Sequence, residues 1–135
     1  MYKHILVPVL FGDDRDAEGA INVATHLADD GTRITLLHVI EQIPSYAQAF
    51  LPDEILVDRR KEIEAELGLM ASKMPNGVAA VALGHPSRAI LDWVSAHDVD
   101  CVVIASHQPG MQDLLLGSTA AKVVRHANCA VHVLR

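Results

Sequence analysis

Five short apolar runs, each separated from the next by a longer stretch of helical periodicity, constrain this chain more than any other feature of it. The runs are Ile5 to Val9, Ile34 to Ile40, an alanine-rich Val78 to Leu83, Cys101 to Ala105, and Ala130 to Leu134. They are nearly continuous and rich in β-branched residues, as in strands covered on both faces. Between them, Asp14 to Asp30 carries Ala17, Ile21, Ala24, Leu27 and Ala28 at helical spacing, with Gly31 as a stop signal. Asp53 to Lys73 carries Leu56, Ile63, Leu67, Met70 and Met74 on one face, opened by Pro52-Asp53 and closed by Pro75-Asn76-Gly77. Ser87 to Ala96 follows Gly84-His85-Pro86, and Ser118 to His126 follows Gly117. The order βαβαβαβαβ predicts an α/β fold: a five-stranded parallel sheet in the order 3-2-1-4-5, with helices on both faces.

A chain of 135 residues, half of them hydrophobic, suits one domain over residues 1–135. The net charge of -6 and the 4% aromatic content argue against a nucleic-acid partner, which needs a basic footprint and stacking platforms. The first apolar run is too short for a signal peptide, and no stretch approaches the roughly 20 apolar residues of a membrane span, so the expected location is the cytoplasm. Cys101 and Cys129 lie in apolar runs without metal-ligand spacing and read as buried, reduced thiols. The longest non-periodic segment, Glu41 to Leu51, holds Tyr46 and Phe50 and reads as a surface loop or a flap beside a cleft.

A doubly wound sheet binds ligands at the carboxyl ends of its strands, where neighbouring connections leave to opposite faces. Here that point lies between the first and fourth strands. Its walls are Pro8 to Gly12 and Ala105 to Gln108, and the segment after strand four ends in Gly117-Ser118-Thr119 at the start of a helix. Free N–H groups and the helix dipole favour an anion at such a start, and Gly117 lets a phosphate approach the backbone. The alternative is that Ser118 or Thr119 only caps its helix.

The chain resembles the universal stress protein family over its whole length. The resemblance rests on Lys3-His4-Ile5-Leu6-Val7-Pro8-Val9, Leu37-His38-Val39-Ile40, Gly84-His85-Pro86, Val102-Val103-Ile104-Ala105-Ser106-His107, and the stretch Leu115 to Val133. Nucleotide-binding members carry Gly, two residues, Gly, nine residues, then Gly-Ser or Gly-Thr. Here Ala105 and Gln108 stand at the first two glycine positions, the spacer Pro109 to Leu116 has eight residues, and Gly117-Ser118 is retained. Leu10 stands where many binders have aspartate. Ser106-His107-Gln108-Pro109 is similar to the variant loop of the bacterial F/G-type branch, several members of which bind ATP.

The resemblance implies an adenine nucleotide alpha hydrolase-like fold that holds ATP, with Mg2+ bridging its phosphates. Pro8 and Val9 would line the base, and backbone at Val39 or Ile40 would read its polar edge. Ala105, His107 and Gln108 would flank the ribose and phosphates, and Gly117, Ser118, Thr119 and Ala120 would hold the phosphate oxygens. It also implies a homodimer through the edge strand Cys129 to Arg135, able to pair further into a tetramer, and a regulatory protein partner. The expected function is a stress-response sensor or switch, with at most slow ATP hydrolysis or self-phosphorylation. The rival expectation is a nucleotide-free dimeric interaction module. Eight histidines show no metal-ligand pattern, and Ser106, His107 and Asp113 make a poor hydrolytic triad because adjacent strand residues point to opposite faces.

Overall fold

The computed structural model describes residues 1–9, 15–41, 44–106 and 116–135. The strands are β1 (Tyr2–Pro8), β2 (Ala28–Ile40), β3 (Gly77–Leu83), β4 (Cys101–Ala105) and β5 (Ala130–Leu134). The helices are α1 (Arg15–Leu27), α2 (Ser45–Gln48), α3 (Asp53–Ser72), α4 (Pro86–Ala96) and α5 (Ser118–His126). All strand pairs are parallel, in the order β3-β2-β1-β4-β5.

Period-2 alternation along the central strands divides the core into two layers. Ile5, Val7, Leu36, Cys101 and Val103 point to one face and pack under α1 and α3, against Ala20, Ala24, Ile63 and Leu67. Leu6, Leu37, Val102 and Ile104 point to the other and pack under α4 and α5, against Ile90, Val94, Ala120 and Val123. Each fully buried Leu or Ile stabilises the fold by roughly 1.5–3 kcal/mol. The two edge strands depart from the expectation of burial on both faces. β3 and β5 are half-buried to exposed throughout, because each has a sheet neighbour on one side only.

Two glycines are required by the backbone. Gly84 ends β3 at φ 128, a conformation closed to L side chains, and it turns the chain into α4, whose first residue is Pro86. A Cβ on Gly77 would lie 2.2 Å from the Ala71 carbonyl oxygen, so β3 can start directly under the end of α3 only with glycine there. Gly31, by contrast, does not stop α1. The helix ends at Leu27 and the chain is already extended from Ala28. Thr32 holds this early entry into β2, its hydroxyl donating to the Tyr2 carbonyl at 2.7 Å and accepting from Asp29 N–H at 2.9 Å. Among the described residues no helix is long and apolar enough to cross a membrane.

Candidate functional site

β1 feeds a helix on one face of the sheet and β4 feeds a helix on the other, so the chain diverges between their carboxyl ends. On the β1 side, Pro8 is half-buried and Val9 is 2% exposed. Both backbone groups of Val9 are engaged. Its N–H donates to the Leu37 carbonyl at 2.8 Å, and its carbonyl accepts from His38 Nδ1, also at 2.8 Å. Val9 therefore offers an apolar wall. His38, not among the residues expected at the site, fixes that wall.

Val39 and Ile40 end β2 and are half-buried. The Ile40 carbonyl accepts from Gly84 N–H at 3.0 Å, on the β3 side. The Leu37 carbonyl faces β1. Because backbone groups alternate along a strand, those of Val39 also face the β1 side, beyond the last paired residue Pro8. Of the two residues given the role of reading a base edge, Val39 has its backbone turned to the crevice.

On the β4 side, half-buried Ala105 pairs with Leu134, and Ser106 follows with its N–H on the Leu134 carbonyl at 2.7 Å. The Ser106 side chain is 3% exposed, and its Oγ has no hydrogen-bond partner among the described residues. The Ser106 carbonyl accepts from Gly117 N–H, which ties the start of α5 to the end of β4.

Gly117 is the N-cap of α5, at φ -60 and ψ 155, and no side chain caps the helix. The expectation that Ser118 or Thr119 caps it fails because Gly117 occupies the cap and both hydroxyl residues lie inside the first turn. Ser118 is exposed, Thr119 half-buried, and Ala120 part of the core. The N–H groups of Ser118, Thr119 and Ala120 are the first of the helix, with no intrahelical acceptor, and no acidic residue stands in that turn. The Gly117–Ser106 backbone bond thus joins the positive end of α5 to the residue whose buried hydroxyl lacks a partner among the described residues.

His107 and Gln108, given contacts to ribose and phosphate, lie outside the described residues, as do Leu10 and Asp113. Ser106 was read as part of the cleft wall Ala105 to Gln108, of the strand-four match and of a weak triad, but not among the residues given nucleotide contacts. Its signal in the sequence is that it is the first polar position after an unbroken apolar strand. Among the described residues no three His, Cys, Asp or Glu side chains gather as a metal site.

This geometry defines a doubly wound α/β protein of the adenine nucleotide alpha hydrolase-like fold, with an anion-receptive helix start at its switch point. The sequence profile of the universal stress protein family matches residues 1–135, and the chain belongs to that family. It is similar to universal stress protein G of Escherichia coli O157:H7, at 33% identity over 100% of both chains. Among solved structures it is similar to universal stress protein UspA from Lactobacillus plantarum, at 26% identity, TM-score 0.81, covering 99% of this chain and 98% of that one. Two further structures share the fold. One is an Arabidopsis thaliana universal stress protein with AMP bound (20% identity, TM-score 0.64, 98% and 90% covered). The other is a universal stress protein in complex with cAMP (19% identity, TM-score 0.64, 99% and 97% covered).

Proposed function

We propose that this protein binds an adenine nucleotide, ATP with Mg2+ on its phosphates, in the crevice between β1 and β4, and that it works in the cytoplasm as a dimeric stress-response sensor or switch built from one domain. The observation that carries this reading is the buried Ser106 hydroxyl, without a partner among the described residues, on the residue whose carbonyl holds the start of α5. A buried polar atom without a partner costs free energy, and a bound phosphate or ribose oxygen would satisfy it. In this reading Val9 and Pro8 cover the base and the Val39 backbone reads its edge. Ala105 and Ser106 flank the ribose, with His107 and Gln108 beyond them, and the N–H groups of Ser118, Thr119 and Ala120 hold the phosphate. The relatives solved with AMP and cAMP support the class of ligand.

Calorimetric titration of ATP and AMP into the wild type and Gly117→Val tests it. The φ of -60 at Gly117 admits any L residue, so the variant is expected to fold, while its branched side chain fills the space a phosphate needs. Loss of binding with an unchanged circular dichroism spectrum is the expected result. Equal affinity would place the nucleotide elsewhere. No binding to ligand-free wild type would leave a dimeric interaction module.

The dimer is proposed to form through β5, an apolar edge strand with Val131 and Val133 half-buried in the single chain. Sedimentation should give twice the chain mass or a multiple of it, and a pure monomer at micromolar concentration would overturn the assembly.

A further inference from the structure

α4 and α5 cover the same face of the sheet, and between them runs a groove of about 550 Å3. Arg88, Leu91 and Asp92 line it from α4, with His85 and Ser87 at that helix's start, and Lys122 and His126 line it from α5. Each helix contributes residues one turn apart, Arg88 with Asp92 and Lys122 with His126, so each pair shares a helix face. None of the crevice residues described above takes part.

Among the described residues the charged groups of this groove form no ion pair. Arg88 and Asp92 stand at the same spacing and in the same order as Arg60 and Glu64. Arg60 meets Glu64 at 3.0 Å, whereas no ion pair joins Arg88 to Asp92. Among the described residues Arg88 and Lys122 have no anionic partner. His85 is held through Nδ1 by the Ser87 hydroxyl at 3.1 Å, and Ser87 itself is buried. An exposed cation in water loses little by standing alone. Here the two helices set a guanidinium and an ammonium around one groove against a single carboxylate, Asp92, which leaves a net positive charge that an added anion would offset.

The size and sign of the rest of the molecule narrow the occupant. A volume of about 550 Å3 is that of a small-molecule site. The chain as a whole carries -6, which repels a polyanion while leaving this local cluster attractive to a small anion. A guanidinium takes a phosphate through two parallel N–H bonds, and a lysine adds a point charge. Asp92 can only accept hydrogen bonds when ionised, which suits hydroxyl donors, and Leu91 offers an apolar contact. We propose that the α4–α5 groove is a second binding site, for a small phosphorylated polyol of the sugar phosphate class.

The test is an amide chemical-shift titration with ribose 5-phosphate, set against inorganic phosphate, ribose, and sodium chloride at matched ionic strength. Saturable shifts at Arg88, Leu91, Lys122 and His126 are expected, tighter for ribose 5-phosphate than for phosphate and absent for ribose. Arg88→Gln with Lys122→Gln, both at exposed positions, should weaken binding at least about tenfold. Gly117→Val should leave it unchanged, which separates this site from the nucleotide crevice. Shifts that follow ionic strength alone, that persist in the double variant, or that fall only on residues 105, 106 and 117–120 would overturn the proposal. So would tighter binding of a poly-glutamate peptide to the same amides, which would make the groove a protein contact.

Discussion

The two ends of the central sheet treat their polar groups in opposite ways. At the amino end, His4 is buried with both ring nitrogens engaged, Nε2 against Thr35 Oγ1 at 2.7 Å and Nδ1 against the His97 carbonyl at 3.0 Å. A carbonyl can only accept, so Nδ1 donates to His97. Asp100 accepts from the N–H groups of Lys3 at 2.8 Å and His4 at 3.0 Å, and Asp100 N–H donates to the His4 carbonyl. At the carboxyl end, Ser106 is buried too, its hydroxyl has no partner among the described residues, and α5 starts with no side-chain cap. One end engages its polar groups within the fold, and the other leaves a buried hydroxyl and a helix start without partners among the described residues.

Breaking the closed end should have the largest effect. His4→Ala strips a partner from Thr35 and from the His97 carbonyl and leaves a cavity, so urea unfolding should show a loss of about 2–4 kcal/mol. Asp100→Ala frees two backbone N–H groups at the strand start and should lose about 1–2 kcal/mol in the same assay.

Cys101 reports on this end through alkali. Burial first, then Cys129 and the Asp100 carboxylate, push its thiol up to about 11 from an ordinary 9.0. Between those values the native thiol keeps its proton while the unfolded chain loses it. Stability must therefore fall as pH rises from about 9 to about 11, by at most about 1.4 kcal/mol per pH unit for this group. Cys129 is shifted the same way, so Cys101→Ala should reduce the slope without abolishing it. A slope unchanged by the substitution would remove Cys101 as its source.

Ser106→Ala should have the smallest effect on stability, within about 0.5 kcal/mol, because it deletes a hydroxyl with no partner among the described residues. The same variant should bind nucleotide several-fold more weakly. A stability loss as large as that of Asp100→Ala would show that the open end is not open.

The strands and their order were legible because a parallel sheet buried on both faces writes itself as apolar runs. Cys101–Ala105 and Ala130–Leu134 coincide with the expected bounds. β2 begins six residues earlier than its apolar run, at Ala28 rather than Ile34, because Thr32 and backbone pairing to Tyr2 hold polar residues extended. The short helix α2 was missed inside Glu41 to Leu51, since a single turn has no periodicity to read. Gly117 at the start of α5 was legible as a glycine before a helix. Ser106 was legible as part of the cleft wall but not as a contact residue, because its hydroxyl stands out only through the bond it lacks among the described residues. Nor was the preference for Val39 over Ile40, which comes from strand parity and the use of the Ile40 carbonyl by Gly84.

The bond from Gly117 N–H to the Ser106 carbonyl brackets residues 107–116 like a buckle on a strap. With the two ends fixed to each other, the number of residues between them is free to drift over evolutionary time. Adding or losing one residue in a closed segment of roughly ten changes the closure entropy by only about 0.1 kcal/mol. A lineage can therefore shorten its spacer from nine residues to eight while the buckle keeps the helix start, and the N–H groups it presents, in the same place.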